Sequence, residues 1–230
     1  MKKILFITLL FLLSLNSYAQ TRELGIKTGL VHTSIASNAF FATVEPLYTM
    51  HAGVSFSQYF HKRWFIGANV LGGKRGFTRE TMVNNQSLLL EDSLYHQQKL
   101  SYSYISLPLF FGYKSTQRLH VLAHGGLCVS ALLRAKASLP KAGTNGLYQK
   151  DTLVTMTPYV KKFDLAWQAE VGLGYDFSNK MGVAIAVRNT RSFISHHQGE
   201  YFAILDTSNR EWFRIMHNLL GIYVDIKYFF

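Results

Sequence analysis

Six charged residues of both signs, Lys27, Asp164, Glu170, Arg188, Asp225 and Lys227, stand among apolar and very small neighbours. A charge in a tight interior is costly unless it is paired. Enclosed together, the six predict an ion-pair network that closes the interior; a gated proton or ion path is the functional alternative. Histidine suggests other chemistry: His120, His124 and Ser130 share one period-two face. A hydroxyl nucleophile needs a base held against it by a third group. His120 and Ser130 are separated by about 33 Å of extended chain and His124 and Ser130 by about 20 Å. Neither pair can touch, and no motif supplies another nucleophile. "HHQGE" at 196–200 carries ligand residue types without further ligand spacing. No catalytic residue, metal or cofactor is expected.

Strands must position these residues. In "NLLGIYVDIKYFF", residues 218–230, Leu220, Ile222, Val224, Ile226, Tyr228 and Phe230 alternate with Gly221, Tyr223, Asp225, Lys227 and Phe229. Such alternation marks a strand with two unlike faces. Similar stretches run over about 22–32, 47–60, 63–78, 97–115, 118–134, 161–178, 180–192 and 211–230. The connections alternate long and short, with "HKR", "STQ" and "SNK" as the short ones. A barrel crossing an outer membrane keeps that rhythm, with tight periplasmic turns and extended external loops. The expected fold is all-β: an eight-stranded antiparallel up-and-down transmembrane β-barrel.

The faces decide which side meets lipid. Phe163, Leu165, Trp167, Ala169, Val171, Leu173, Tyr175 and Phe177 oppose Asp164, Ala166, Gln168, Glu170, Gly172, Gly174 and Asp176. A lipocalin-type soluble barrel needs an apolar interior. An eight-stranded lumen is narrow and filled by side chains, so small residues must interleave with large ones. The greasy face is therefore expected to point outward. Tyr59, Phe60, Trp64, Phe65, Phe111, Tyr113, Tyr175, Phe177, Tyr228 and Phe230 cluster near the short turns, as a periplasmic aromatic girdle would. Gly72, Gly73 and Gly76 in the third stretch and Tyr102 and Tyr104 in the fourth blur the alternation and predict bulges there.

Composition bounds the rest. Residues 1–19 have a basic start, an apolar run from Ile4 to Leu13 and Ser17-Tyr18-Ala19, the pattern of a cleaved signal peptide. Residues 20–230 then form one domain. Cys128 is the single cysteine, which excludes an internal disulfide; a closed barrel in lipid supplies stability otherwise. The formal charge of +11 falls to about +9 without Lys2 and Lys3. Acidic membrane surfaces suit it better than nucleic acid, which is not an expected partner. Arg79, Arg134, Lys136, Lys161 and Lys162, with Lys74, Arg75 and Lys141, fall at or beyond the external strand ends. Outer-leaflet phosphates fit them; simple solvation accounts for them equally well.

"LGIKTGL" at 24–30, "YISLPLFFGYK" at 104–114, "WQAEVGLGYDF" at 167–177 and the aromatic terminal strand resemble the PorT-like outer-membrane barrels of Bacteroidota. Members often carry Glu before the Ile/Leu-Pro pair, where this chain has Ser106. The resemblance implies an eight-stranded outer-membrane barrel, mostly without established activity, with one branch serving secretion and gliding. It also gives Tyr228 and Phe230 the look of the signal read by outer-membrane assembly machinery. Asp92–Leu94 and Asp151–Leu153 resemble the short O-glycan acceptor pattern of that phylum.

The sequence thus points to a small non-enzymatic outer-membrane barrel with a filled polar lumen. Its loops are expected to contact membrane lipid, lipopolysaccharide or a protein partner. The alternatives are a lipid-modifying membrane enzyme and a soluble exported ligand-binding barrel.

Overall fold

The computed structural model describes residues 21–37, 44–60, 63–83, 94–142, 148–194 and 215–230. Its strands are β1 (Arg22–Ser37), β2 (Val44–Phe60), β3 (Trp64–Val83), β4 (Leu94–Lys114), β5 (Leu119–Ala142), β6 (Tyr148–Thr155), β7 (Phe163–Asp176), β8 (Met181–Ser192) and β9 (Ile215–Phe229). All described pairings are antiparallel. The sheet order is β4-β3-β2-β1-β9-β8-β7-β5-β6, and β4 also pairs with β5. That last pairing closes eight strands into an up-and-down barrel. β6 stands outside the closed ring and, among the described residues, pairs only with Lys136–Ala142 at the external end of β5. No edge of the ring is left without a partner, which is what a backbone in hydrocarbon requires.

The turns β2–β3, β4–β5 and β7–β8 contain three, four and four residues, at the end where Arg22 and Phe230 meet. There Arg22 N donates to Phe230 O and Phe230 N donates to Arg22 O, both at 3.0 Å. The connections at the other end are longer, from six residues between β1 and β2 to 22 between β8 and β9. The strands outrun the alternating stretches of the sequence. Barrel strands of 12 to 24 residues exceed the roughly 9–11 needed to cross a membrane. Much of the expected external loop sequence is therefore protruding sheet, and the loop expected over 135–160 contains the end of β5, all of β6 and a 3-10 turn at Thr157–Tyr159.

Orientation follows side-chain parity. Ile26, Leu30, Met50, Val54, Val70, Leu109, Leu127, Val171, Leu173, Ile185, Val187, Ile222 and Ile226 are exposed on the outside. Their neighbours in sequence, including Lys27, Glu170, Arg188 and Asp225, are buried inside. At the short-turn end, Trp64 stacks on Phe111 with centroids 5.2 Å apart, and Phe60 lies 5.9 Å from Phe111. Tyr175, Phe177, Tyr228 and Phe230 are also exposed there. The expected girdle needs a correction: Tyr59 and Phe65 take the inward parity and pack in the lumen with Phe110. A lumen this narrow is filled partly by aromatic rings.

Within the closed ring, register breaks occur at two places, and a third lies between Lys141 and Ala142 where β5 pairs with β6. One lies between Pro46 and His51 on β2, opposite the glycine-rich end of β3. The other lies where β5 passes Ser103 and Tyr104. Tyr102 and Tyr104 themselves keep strict inward alternation, and the extra residue belongs to β5. Pro108 interrupts the β3–β4 ladder between Ala68↔Leu109 and Leu71↔Ser106, and pairing resumes in the same register. Proline lacks the N–H that this rung would use.

The orientation makes a depth-dependent prediction. Replacing Val171, midway along the outward face of β7, with Arg should cost about 2–4 kcal/mol of unfolding free energy, and Met181→Arg beside the short turn about 0–1. Denaturant titration in lipid vesicles checks the difference.

Candidate functional site

The barrel brings its buried charges into three tiers. At the short-turn end, Glu23 on β1 accepts from Lys114 Nζ on β4 and from Lys227 Nζ on β9, each at 3.0 Å and on different oxygens. Lys114 also lies 3.1 Å from Asp176 Oδ2 on β7. His120 Nδ1 is 3.6 Å from that carboxylate and 3.2 Å from the Arg118 carbonyl oxygen. The Lys114 ammonium sits 4.8 Å from the centre of the Phe229 ring. A cavity of about 410 Å³ opens beneath this tier, lined by the turn at Ser115–Arg118 with Asp176 and Asn179.

The middle tier is organised by Glu170 on β7. Its Oε1 accepts from Lys27 Nζ at 2.6 Å and faces His124 Nε2 at 3.1 Å; its Oε2 accepts from Arg188 Nε at 2.6 Å. Each carboxylate oxygen thus meets a cation from another strand, β1 or β8. Asp225 on β9 accepts from Ser55 Oγ at 2.8 Å and lies 4.0 Å from Lys27. The Arg188 guanidinium stands 4.5 Å from the Tyr223 ring centre, and Lys27 Nζ 5.6 Å from it. Tyr223 Oη lies 3.2 Å from His51 Nδ1, while His51 Nε2 lies 3.0 Å from the Lys74 carbonyl. A carbonyl only accepts, so Nε2 carries the hydrogen and Nδ1 accepts from the tyrosine. Small residues make room: a Cβ at Gly29 would strike the Tyr223 ring, and one at Gly73 the His51 imidazole. The space left beside Lys27, Glu170 and Asp225 is about 20 Å³, on the scale of one water.

The third tier is built on Arg75 of β3, which is 1% exposed. Its Nη1 donates to Asp164 Oδ2 at 2.7 Å, and its Nη2 to Ser130 and Ser106 at 2.7 and 3.0 Å. Ser192 Oγ also donates to Asp164 Oδ2, at 2.9 Å, and Tyr104 stacks its ring 4.6 Å from the guanidinium. Ser106, where the resemblance leads one to look for Glu, thus accepts from an arginine whose countercharge is on β7. Toward the external end, Phe77, Leu100, Tyr102, Ala135, Ala137, Met156 and Val160 form a buried apolar cluster with Tyr104. The lumen is therefore polar in its lower tiers and oily beneath the long connections, which corrects the expectation of a polar filling throughout.

Of the six charges singled out from sequence, Lys27, Glu170, Arg188 and Asp225 meet one another, Asp164 meets Arg75 and Lys227 meets Glu23. Sequence reasoning missed Glu23, Lys114, Asp176 and His124 as members, although each has the inward parity of its strand. Arg75, expected among the external cations, lies inside the barrel. Arg134 and Lys162 are exposed, and Lys136 and Lys161 half-buried. Arg79 pairs through its backbone with Val44 and Gln98, and its side chain lies outside the described residues. So do residues 1–20, Asp92 and the "HHQGE" stretch. His120 and His124 turn to Asp176 and Glu170, while Ser130 turns to Arg75 and Ser106. Among the described residues no histidine, cysteine and carboxylate cluster is arranged to hold a metal. No helix of the described residues is long and apolar enough to cross a membrane.

These features define a class: a small closed antiparallel barrel with a lipid-facing apolar belt and an ion-paired interior. The chain belongs to the outer membrane protein beta-barrel domain family, whose model matches residues 18–198. It is an outer-membrane protein. Among solved structures, it is similar to OprG from Pseudomonas aeruginosa, with 11% identity, TM-score 0.48 and coverage of 90% of this chain and 95% of that one. Neisserial surface protein A gives 8%, 0.44, 89% and 96% on the same measures. Ail of Yersinia pestis gives 12%, 0.38, 90% and 98%. No curated protein sequence matches the chain.

Removing the central carboxylate should be the most damaging polar change. Glu170→Gln leaves Lys27 and Arg188 facing each other in an enclosed interior and should lower stability by about 3–5 kcal/mol. Tryptophan fluorescence during denaturant unfolding in vesicles measures it.

Proposed function

We propose that the protein is a non-enzymatic outer-membrane barrel that conducts no ions and acts through its external surface, contacting lipopolysaccharide or a protein partner. The observation that carries this reading is the filling of the lumen around Glu170, where only about 20 Å³ remains between four charged residues and their partners. An eight-stranded lumen has little room to begin with. The separation of both histidines from Ser130 favours a non-enzymatic role over lipid chemistry. The protruding ends of β3, β4, β5 and β6 offer more surface than the three- and four-residue turns opposite. Under the same reading, Tyr228 and Phe230 form the assembly signal and residues 1–19 are removed on export. The PorT-like resemblance adds a Bacteroidota outer membrane; a secretion role belongs to one branch of that group.

Two measurements test the proposal. The purified barrel in planar bilayers should give no steady current steps above leak, and stable single-channel openings would overturn it. Cells carrying His120→Ala and His124→Ala together should keep an unchanged lipid A profile; loss of a modification would establish the enzymatic alternative.

A further inference from the structure

The bulge in β5 has a chemical consequence. Below it, Cys128 and Ser130 face the lumen. Unbroken alternation would send Arg134 and Lys136 inward as well. Pairing with β4 instead runs from Tyr104↔Leu132 to Ser103↔Arg134 and skips Leu133. One extra residue re-aims every side chain beyond it. Ala135 and Ala137 enter the oily outer lumen, at 0% and 1% exposure, while Leu133 and Arg134 are exposed outside. The insertion trades two cations for two alanines in a layer whose described residues form an apolar cluster and include no carboxylate.

Outside, the same register aligns a row. Lys74 pairs with Ser103, and Ser103 with Arg134, so two exposed cations flank one hydroxyl across β3, β4 and β5. With strands about 4.8 Å apart, their backbones are about 10 Å apart, within reach of one tetrahedral anion for long side chains. Lys162, also exposed, is held beside them because Leu132 N donates to its carbonyl at 2.7 Å.

Height selects the ligand. Lys74 lies ten residues along β3 from the girdle residue Trp64. Ten residues rise about 33 Å along a strand, or about 25 Å in height at a tilt near 40°, which matches the apolar band of an outer-membrane barrel. The row therefore stands at the opposite headgroup level. Two residues toward the midplane, the outward row is Gly72, Ile105 and Ala131. An added Cβ at Gly72 would meet nothing closer than the Ala52 oxygen at 3.9 Å, so a shallow space lies directly under Lys74. On the neighbouring strands, the outward residues Tyr48 and Met50 of β2 and Leu30 of β1 are uncharged.

We propose that Lys74, Ser103 and Arg134, with Lys162, bind the phosphate of an outer-leaflet lipid whose acyl chain lies over Gly72. This rests on the external-surface reading above and gives it a site. Charge-assisted hydrogen bonds to phosphate supply the affinity.

Native mass spectrometry of the folded barrel in neutral detergent, offered lipid A or its dephosphorylated form, tests it. The wild type should retain the phosphorylated lipid about tenfold better, and K74Q/R134Q should lose that preference. K180Q, at the short-turn end, should keep it. Heat-modifiable gel mobility verifies folding of each variant. Should K74Q/R134Q not fold, the wild type alone decides: added salt must weaken retention of the phosphorylated lipid only. Equal retention of the two lipids, an unaffected K74Q/R134Q barrel, or full displacement by equimolar inorganic phosphate would overturn the proposal. Steady channel currents would sink the external-surface reading while leaving lipid retention intact.

Discussion

A backbone inside hydrocarbon has no water to satisfy its N–H and C=O groups, so every strand must find two neighbours. The pairing of β1 with β9 and of β4 with β5 meets that demand by closing the sheet. Closure at eight strands then fixes the interior, which is too narrow to stay open and too enclosed to leave a charge alone. The alternation of oily and polar residues, the glycines beside large rings and the ion pairs all answer to this one requirement.

The interior meets it in layers. Where charges are present, the two buried glutamates are each shared by cations from different strands, Glu23 by Lys114 and Lys227 and Glu170 by Lys27 and Arg188. Lys114–Glu23 and Lys27–Glu170 tie β4 to β1 and β1 to β7 across the lumen, while Glu170–Arg188 and Glu23–Lys227 reinforce the neighbouring pairs β7–β8 and β1–β9. Beneath the long connections the layer is apolar, and Met156 and Val160 enter it from the segment after β6. An excursion that looks like loop in sequence thereby contributes to the packing of the outer lumen.

Much of this was legible because a strand repeats every two residues. From Phe163 to Tyr175, from Met181 to Val187 and from Leu220 to Phe230, parity alone separates lipid side from lumen side. Glu23, Lys114 and Asp176 had the same parity signal but sit at strand ends, where a charge is equally at home in water. Arg75 was obscured by Gly72, Gly73 and Gly76, which carry no hydrophobic pattern. The bulge at Leu133 was illegible: in Ala131-Leu132-Leu133-Arg134, nothing local says which residue is extra. Its position depends on the partner strand, through Ser103 and Tyr104. For the same reason β6 was hidden, since "YQKDTLVT" becomes a strand only beside an extended β5.

The central claim is that acyl chains cover the oily face. Proton NMR cross-relaxation in lipid nanodiscs measures this most directly. The account predicts contacts from acyl-chain protons to the methyl groups of Ile185, Val187 and Ile222, and none to Ala184 or Ala186. Acyl contacts to the alanines, with water at the isoleucines, would contradict it.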